Sequence, residues 1–276
     1  MQTVVLSHAG ASSRLEVVPG RGGICTRFEA AGVPFLYLDE ESLRDESRNV
    51  RGGIPVLFPI SGRLPDDRYL SQGRPFRLTQ HGFARSSRFS VLSTSATEAE
   101  ASVTLSLRDS DESRALYPYA FEFRLTYLLR QAALTVTAEI ENRSSSPLPH
   151  QLGFHPYFFV PLASKAKAAV GTRAQVAYDN RSRKTDAFLA PDFAEGEVDV
   201  HLLDHREPET KLSRGALPGV TLEMSEAFRC LVLWTLPGKE FICVEPWVSG
   251  AGALATGQGL RWVRPGATDV LSFTVR

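Results

Sequence analysis

Hydrophobic and polar positions alternate with a period close to two along most of the chain. Phe121, Phe123, Leu125 and Tyr127 alternate with Glu122, Arg124 and Thr126. Beyond Arg130-Gln131-Ala132, Leu134, Val136, Ala138 and Ile140 alternate with Thr135, Thr137, Glu139 and Glu141. This pattern predicts a β-hairpin with one solvated face. Val103, Leu105 and Leu107 give a third strand of the same kind. Shorter strands are predicted at Thr3 to Ser7, Arg14 to Val18, Ile24 to Glu29 and Pro34 to Leu38, with Gly20, Gly22, Gly23 and Gly32 as turns. Arg229 to Leu236 and Glu240 to Glu245 flank Pro237-Gly238, a further hairpin. Both runs are apolar at nearly every position and should be buried on both faces. The last strand spans Asp269 to Val275.

Helix signals are few. Asp111 to Leu116 can form a turn or two before Tyr117-Pro118 stops it. Ser144 to Pro149 reads as a polar loop and Ala163 to Arg173 as a mobile segment. Neither is a domain linker, and no repeat is present. The expectation is an all-β fold, a large twisted β-sandwich with few short helices, formed by one domain over residues 1–276.

Composition narrows the partners. At 43% hydrophobic and 22% charged residues, the chain suits a soluble globular protein. Its 31 basic and 31 acidic residues give a net charge of +0, which argues against nucleic acid or a membrane surface as partner. Cys25, Cys230 and Cys243 have neither metal-ligand spacing nor an even count for disulfides. The N-terminus lacks a basic stretch followed by an apolar one, so a cytoplasmic protein is expected.

Five places break the sandwich pattern. In Leu152-Gly-Phe-His-Pro-Tyr-Phe-Phe159, alternation puts Gly153, His155 and Tyr157 on one face and Leu152, Phe154 and Phe158 on the other. Pro156 cannot donate to a ladder and should mark a strand break beside His155. A lone histidine there is more often a core residue satisfied by a carbonyl. In Phe241-Ile-Cys-Val-Glu-Pro-Trp247, Glu245 shares a face with Phe241 and Cys243. A carboxylate on a fully buried strand costs several kcal/mol unless it is paired, protonated or at a pocket, and Trp247 offers a flat surface for a sugar ring. Arg51-Gly-Gly-Ile-Pro55 with Phe58-Pro59 supplies a guanidinium beside backbone that a ligand can approach. Gln80-His-Gly-Phe-Ala-Arg85 reads as a pocket wall or an exposed turn. In Gly196 to Leu202, Asp199 shares a face with Glu197 and His201, for which a solvated face is the simplest reading.

Together and in this order, these motifs resemble the aldose 1-epimerase (galactose mutarotase-like) family, nearest its hexose-6-phosphate 1-epimerase-like branch. The resemblance spans nearly the whole chain. It implies a sugar site on one concave sheet, a sugar or sugar phosphate as partner, and neither metal nor organic cofactor. It implies His155 as general acid, Glu245 as general base, and Arg51, His81, Arg85 and Asp199 as substrate-binding residues. Two positions depart from the branch: Ile60-Ser61-Gly62 replaces an aromatic after Phe58-Pro59, and Val-His follows Asp199 where arginine is common.

The implied activity is interconversion of α and β anomers of a hexose or hexose 6-phosphate, with an acid such as Asp199 keeping His155 charged. A phosphate would be met by Arg51, Arg63 and Arg85, with Arg74 and Arg77 on the intervening loop. Two other classes compete: a non-catalytic carbohydrate-binding module on the same scaffold, and a metal hydrolase using His81, His155, Asp199 and Glu245. The absence of a helical HxxxH or HExxH pair disfavours the hydrolase.

Overall fold

The computed structural model describes residues 1–276. Two large antiparallel sheets face each other across one core. In the first, neighbours run in the order Ala169–Gly171, Glu209–Arg214, Leu217–Met224, Thr268–Val275, Ala133–Asn142, Phe121–Arg130, Glu100–Arg108 and Ser90–Ala96. In the second they run Lys184–Ala187, Val176–Asp179, Val198–Leu202, Cys230–Thr235, Phe241–Trp247, Gly153–Phe154 and Val56–Leu57, and Tyr157–Phe159 also pairs with Phe241–Trp247. A four-stranded sheet of Val4–His8, Ser13–Val18, Ile24–Ala30 and Val33–Pro34 joins the same core.

Period-two patterning accounts for this packing. Phe123, Leu125 and Tyr127 lie opposite Ile140, Ala138 and Val136, and all six are fully buried. From the facing sheet, Leu202, Leu231, Leu233, Ile242, Val244, Phe154 and Phe158 enter the same cluster. The predicted hairpins, the final strand and the short helix are all present. Asp111–Leu116 is capped reciprocally by Ser110 and Ser113.

Three expectations need revision. Glu122, on the solvated face by alternation, is buried because Ser106, Arg108, Arg124 and Arg143 close over its carboxylate. Pro34 to Leu38 forms a regular strand only at Val33–Pro34. Its remainder crosses from the N-terminal sheet to the second one, with Phe35 N–H on Phe28 O and Tyr37 N–H on Tyr157 O, both at 2.9 Å. The segment expected to be mobile is docked by Lys165, whose buried ammonium donates to Thr235 Oγ1 at 2.7 Å and to the carbonyls of Leu236 and Lys239 at 2.9 Å. No helix is long and apolar enough to cross a membrane.

Candidate active site

Strand Phe241–Trp247 has every residue buried, because both of its faces are covered. Ile242 and Val244 enter the main core, whereas Phe241, Cys243 and Trp247 form separate small clusters on the opposite face. On one side this strand meets Cys230–Thr235, with Val232 opposite Glu245 and Trp234 opposite Cys243. On the other it pairs Gly153 with Trp247 and Tyr157 with Cys243. The residues midway between those pairs, His155 and Glu245, therefore stand opposite one another. Pro156 interrupts the ladder there, as a residue without an N–H must. The two side chains project together, with His155 Nε2 at 3.4 Å from Glu245 Oε1.

The neighbouring groups fix both side chains. Trp247 Nε1–H donates to Glu245 Oε2 at 3.1 Å. The His155 ring stacks on Tyr157, with centroids 4.7 Å apart, and meets Trp234 edge-on at 5.6 Å. Gly153 is required beneath: a Cβ there would lie 2.7 Å from Trp247 Cδ1 and 2.8 Å from Ser61 Cβ.

A cavity of about 820 Å³ opens over this pair. Its wall includes all six residues singled out in the sequence: Arg51, His81, Arg85, His155, Asp199 and Glu245. His81 sits at φ +69° in the turn before Gly82, and its Nδ1 accepts the Gly62 N–H at 3.0 Å. Neutral His81 therefore carries its proton on Nε2. Gly82 cannot be replaced without strain, since a Cβ would meet Phe58 O at 2.3 Å and φ is +65°. The Arg85 guanidinium donates to Gln80 O at 2.8 Å. The Arg51 guanidinium lies over the Trp234 ring at 5.6 Å. The loop carrying Arg51 is held by buried Arg21, which donates to the carbonyls of Ser42, Leu43, Asp45 and Arg48.

Burial sets the electrostatics. It pushes the Glu245 carboxyl well above the usual carboxylate range, and the charge of Asp199 adds to the rise. It pulls His155 below the usual imidazole value, helped by Arg85 and Arg51. His81 is driven down in the same way, by burial first and then by the neighbouring His155 and Arg85.

The structure corrects one expected contact. The acid facing His155 is Glu245, while Asp199 Oδ1 lies 3.4 Å from His201 Nε2 and its Oδ2 accepts Asn180 Nδ2–H at 2.8 Å. The two carboxylates thus have different imidazole partners. Arg63 lines the cavity, but Arg74 and Arg77 belong to the hairpin Arg68–Ser71 with Arg74–Arg77 and are not on its wall. Residues missed in the sequence are Trp234, Tyr178, Asn180, Arg183 and His201. Alternation already placed His201 on the Asp199 face, but that face is not solvated: His201 is 3% exposed. As for metal ligands, donor atoms of His155, Cys243 and Glu245 lie within 4.8 Å of one another.

Comparison with known proteins agrees with this architecture. The chain is similar to the Slr1438 protein of Synechocystis sp. PCC 6803, with 32% identity and a TM-score of 0.94 over 100% of this chain and 95% of that one. The chromosomal LacX protein of Lactococcus lactis is 27% identical over 252 residues, covering 80% of this chain and 81% of LacX. A galactose mutarotase related enzyme of Lactobacillus acidophilus shares the fold, with a TM-score of 0.79 at 22% identity over 99% of this chain and 96% of that one. The family model described as aldose 1-epimerase matches residues 17–262, and with that match the chain belongs to the aldose 1-epimerase family.

Proposed function

We propose that the protein interconverts the α and β anomers of a hexose and prefers a hexose 6-phosphate. The observation that carries this reading is the His155–Glu245 contact, 3.4 Å long, on the wall of a cavity lined also by Tyr157, Trp234 and Trp247. Opening a pyranose ring requires removal of the proton on the anomeric hydroxyl and protonation of the ring oxygen. Glu245 as carboxylate takes the first proton and His155 as imidazolium gives the second, while the bond from C1 to the ring oxygen breaks. The open aldehyde then faces a protonated Glu245 and a neutral His155. Rotation about C1–C2 presents the other carbonyl face. On closure His155 takes the hydroxyl proton as its oxygen attacks C1, and Glu245 returns a proton to the carbonyl oxygen.

The pair holds one proton throughout, and the reaction moves that proton between partners. Burial favours the uncharged arrangement, which matches the open-chain state. Close approach of opposite charges and sugar hydroxyls favour the charged arrangement, which matches the ring. Neutral His81, with its proton on Nε2, and Asp199 supply a donor and an acceptor for sugar hydroxyls.

Charge on the wall supports the phosphorylated substrate. Arg21, Arg51, Arg63, Arg85 and Arg183 line the cavity, against only Asp199 and Glu245 among acids. Guanidinium forks suit phosphate oxygens. The test follows anomerisation by polarimetry or NMR with freshly dissolved α-glucose and α-glucose 6-phosphate. The phosphate is expected to have a kcat/KM at least about tenfold higher, roughly one charge-assisted contact, and Arg51→Met should shrink that advantage. Equal use of both sugars would exclude a phosphate preference. No acceleration with either would leave a carbohydrate-binding module.

A further inference from the structure

We propose that His155, Cys243 and Glu245 form an inhibitory site for a borderline-soft divalent cation such as Zn2+. The site coincides with the acid–base pair. Its third donor is a thiol that the epimerase chemistry does not use.

The sheet register brings these donors together. Cys243 precedes Glu245 by one full pleat, so both side chains project from the same face of Phe241–Trp247. His155 stands opposite Glu245, and its neighbour on the same face, Tyr157, stands opposite Cys243. One nitrogen, one sulfur and one oxygen donor thereby lie within 4.8 Å of one another. Tetrahedral ligands around zinc, with metal bonds of about 2.0–2.3 Å, stand about 3.3–3.7 Å apart, so side-chain rotations that draw the donors together by about 1 Å or less complete the set. His155 can make such a rotation without losing a hydrogen bond at Nδ1, because that atom is buried without a partner.

The donor set determines which cation fits. Thiolate with imidazole and carboxylate matches Zn2+ and its softer relatives, whereas Mg2+ and Ca2+ demand oxygen ligands. Three protein ligands leave a fourth position, and His155 and Glu245 open onto the cavity that would fill it. Cys243 lies beneath the wall, fully buried between Tyr157 and Phe241. Binding releases the thiol proton and any proton on Glu245 to solvent and leaves His155 neutral. The bound cation then occupies the atoms that must exchange protons with the sugar, so turnover stops.

The mode of inhibition rests on the epimerase reading, but occupancy of the site does not. The experiment therefore has two readouts on the full chain. In the first, anomerisation is measured while Zn2+, Mg2+ or Ca2+ is titrated. Zn2+ is expected to inhibit where the other two do not, and chelator should restore activity. In Cys243→Ser and Cys243→Ala, turnover without metal is expected to persist while the Zn2+ concentration for half inhibition rises at least about tenfold. The second readout needs no activity. Co2+ is titrated and the near-ultraviolet absorption of a thiolate–metal bond is followed. It should saturate at one ion per chain in the wild type and vanish in both variants. Absence of the Co2+ band in the wild type, or equal Zn2+ inhibition of wild type and both variants, would overturn the site. A saturating band that depends on Cys243, in a protein without anomerisation activity, would sustain the site and reject the epimerase reading.

Discussion

At the scale of single residues, the central fact is that two ionisable side chains are displaced by burial in opposite directions. Glu245 is raised and His155 is lowered. The pair therefore holds its single proton over a wide pH interval. As pH falls through the lowered imidazole value, His155 gains a proton while Glu245 remains protonated, and no base is left. As pH rises through the raised carboxyl value, Glu245 loses the last proton, and no acid is left. The expected kcat/KM profile is a broad plateau. It extends below the ordinary imidazole value near 6.5 and is bounded on the alkaline side by Glu245. The two limbs belong to the pair jointly. A profile that tracks an ordinary exposed histidine would contradict this account. Glu245→Gln and His155→Asn should each lower turnover by about a hundredfold or more, with thermal denaturation confirming that the fold persists. Wild-type turnover in either variant would remove that residue from the mechanism.

At the scale of elements, the strand break at His155–Pro156 and the unbroken strand beside it act together. Proline forces the gap, and the intact neighbour presents Glu245 into it. Gly153 determines how closely the two elements approach. Gly153→Ala would drive a methyl group to 2.7 Å from the Trp247 ring, and that ring holds Glu245 through its N–H. Overpacking of this kind costs about 1–3 kcal/mol. A lower melting temperature together with a loss of kcat is expected. Full activity at unchanged stability would show that Trp247 does not set the position of Glu245. Much at this scale was legible in the sequence. Alternation predicted which residues of Leu152 to Phe159 face the core, and Leu152, Phe154 and Phe158 do so. The doubly apolar run predicted a strand buried on both faces. The role of His201 was not legible, because alternation assigns a residue to a face without saying whether that face is covered.

At the scale of the whole molecule, charge is organised locally. The chain has a net charge of +0, yet its cavity wall carries exposed Arg51, Arg63 and Arg183, half-buried Arg85 and buried Arg21. Such a field acts over about 8 Å at physiological ionic strength. Raising salt from about 0.05 to about 0.5 M should therefore lower kcat/KM for glucose 6-phosphate and leave that for glucose nearly unchanged. A parallel loss for both sugars would separate salt sensitivity from the arginines. The sequence alone determined the two long hairpins, the final strand, the core-facing residues of Leu152 to Phe159, and the presence of a carboxylate where burial makes an unpaired charge costly. Those features follow from periodicity and local chemistry, which a short stretch of chain carries by itself. Only the tertiary structure decided that Glu245 faces His155, that the face Asp199 and His201 share is covered, and that Arg183 lines the cavity while Arg74 and Arg77 do not. Those outcomes depend on the register between strands distant in sequence. Local pattern and turn geometry set the register within a hairpin, but the pairing of strands far apart in the chain, and what covers a face, are fixed only as the whole molecule packs.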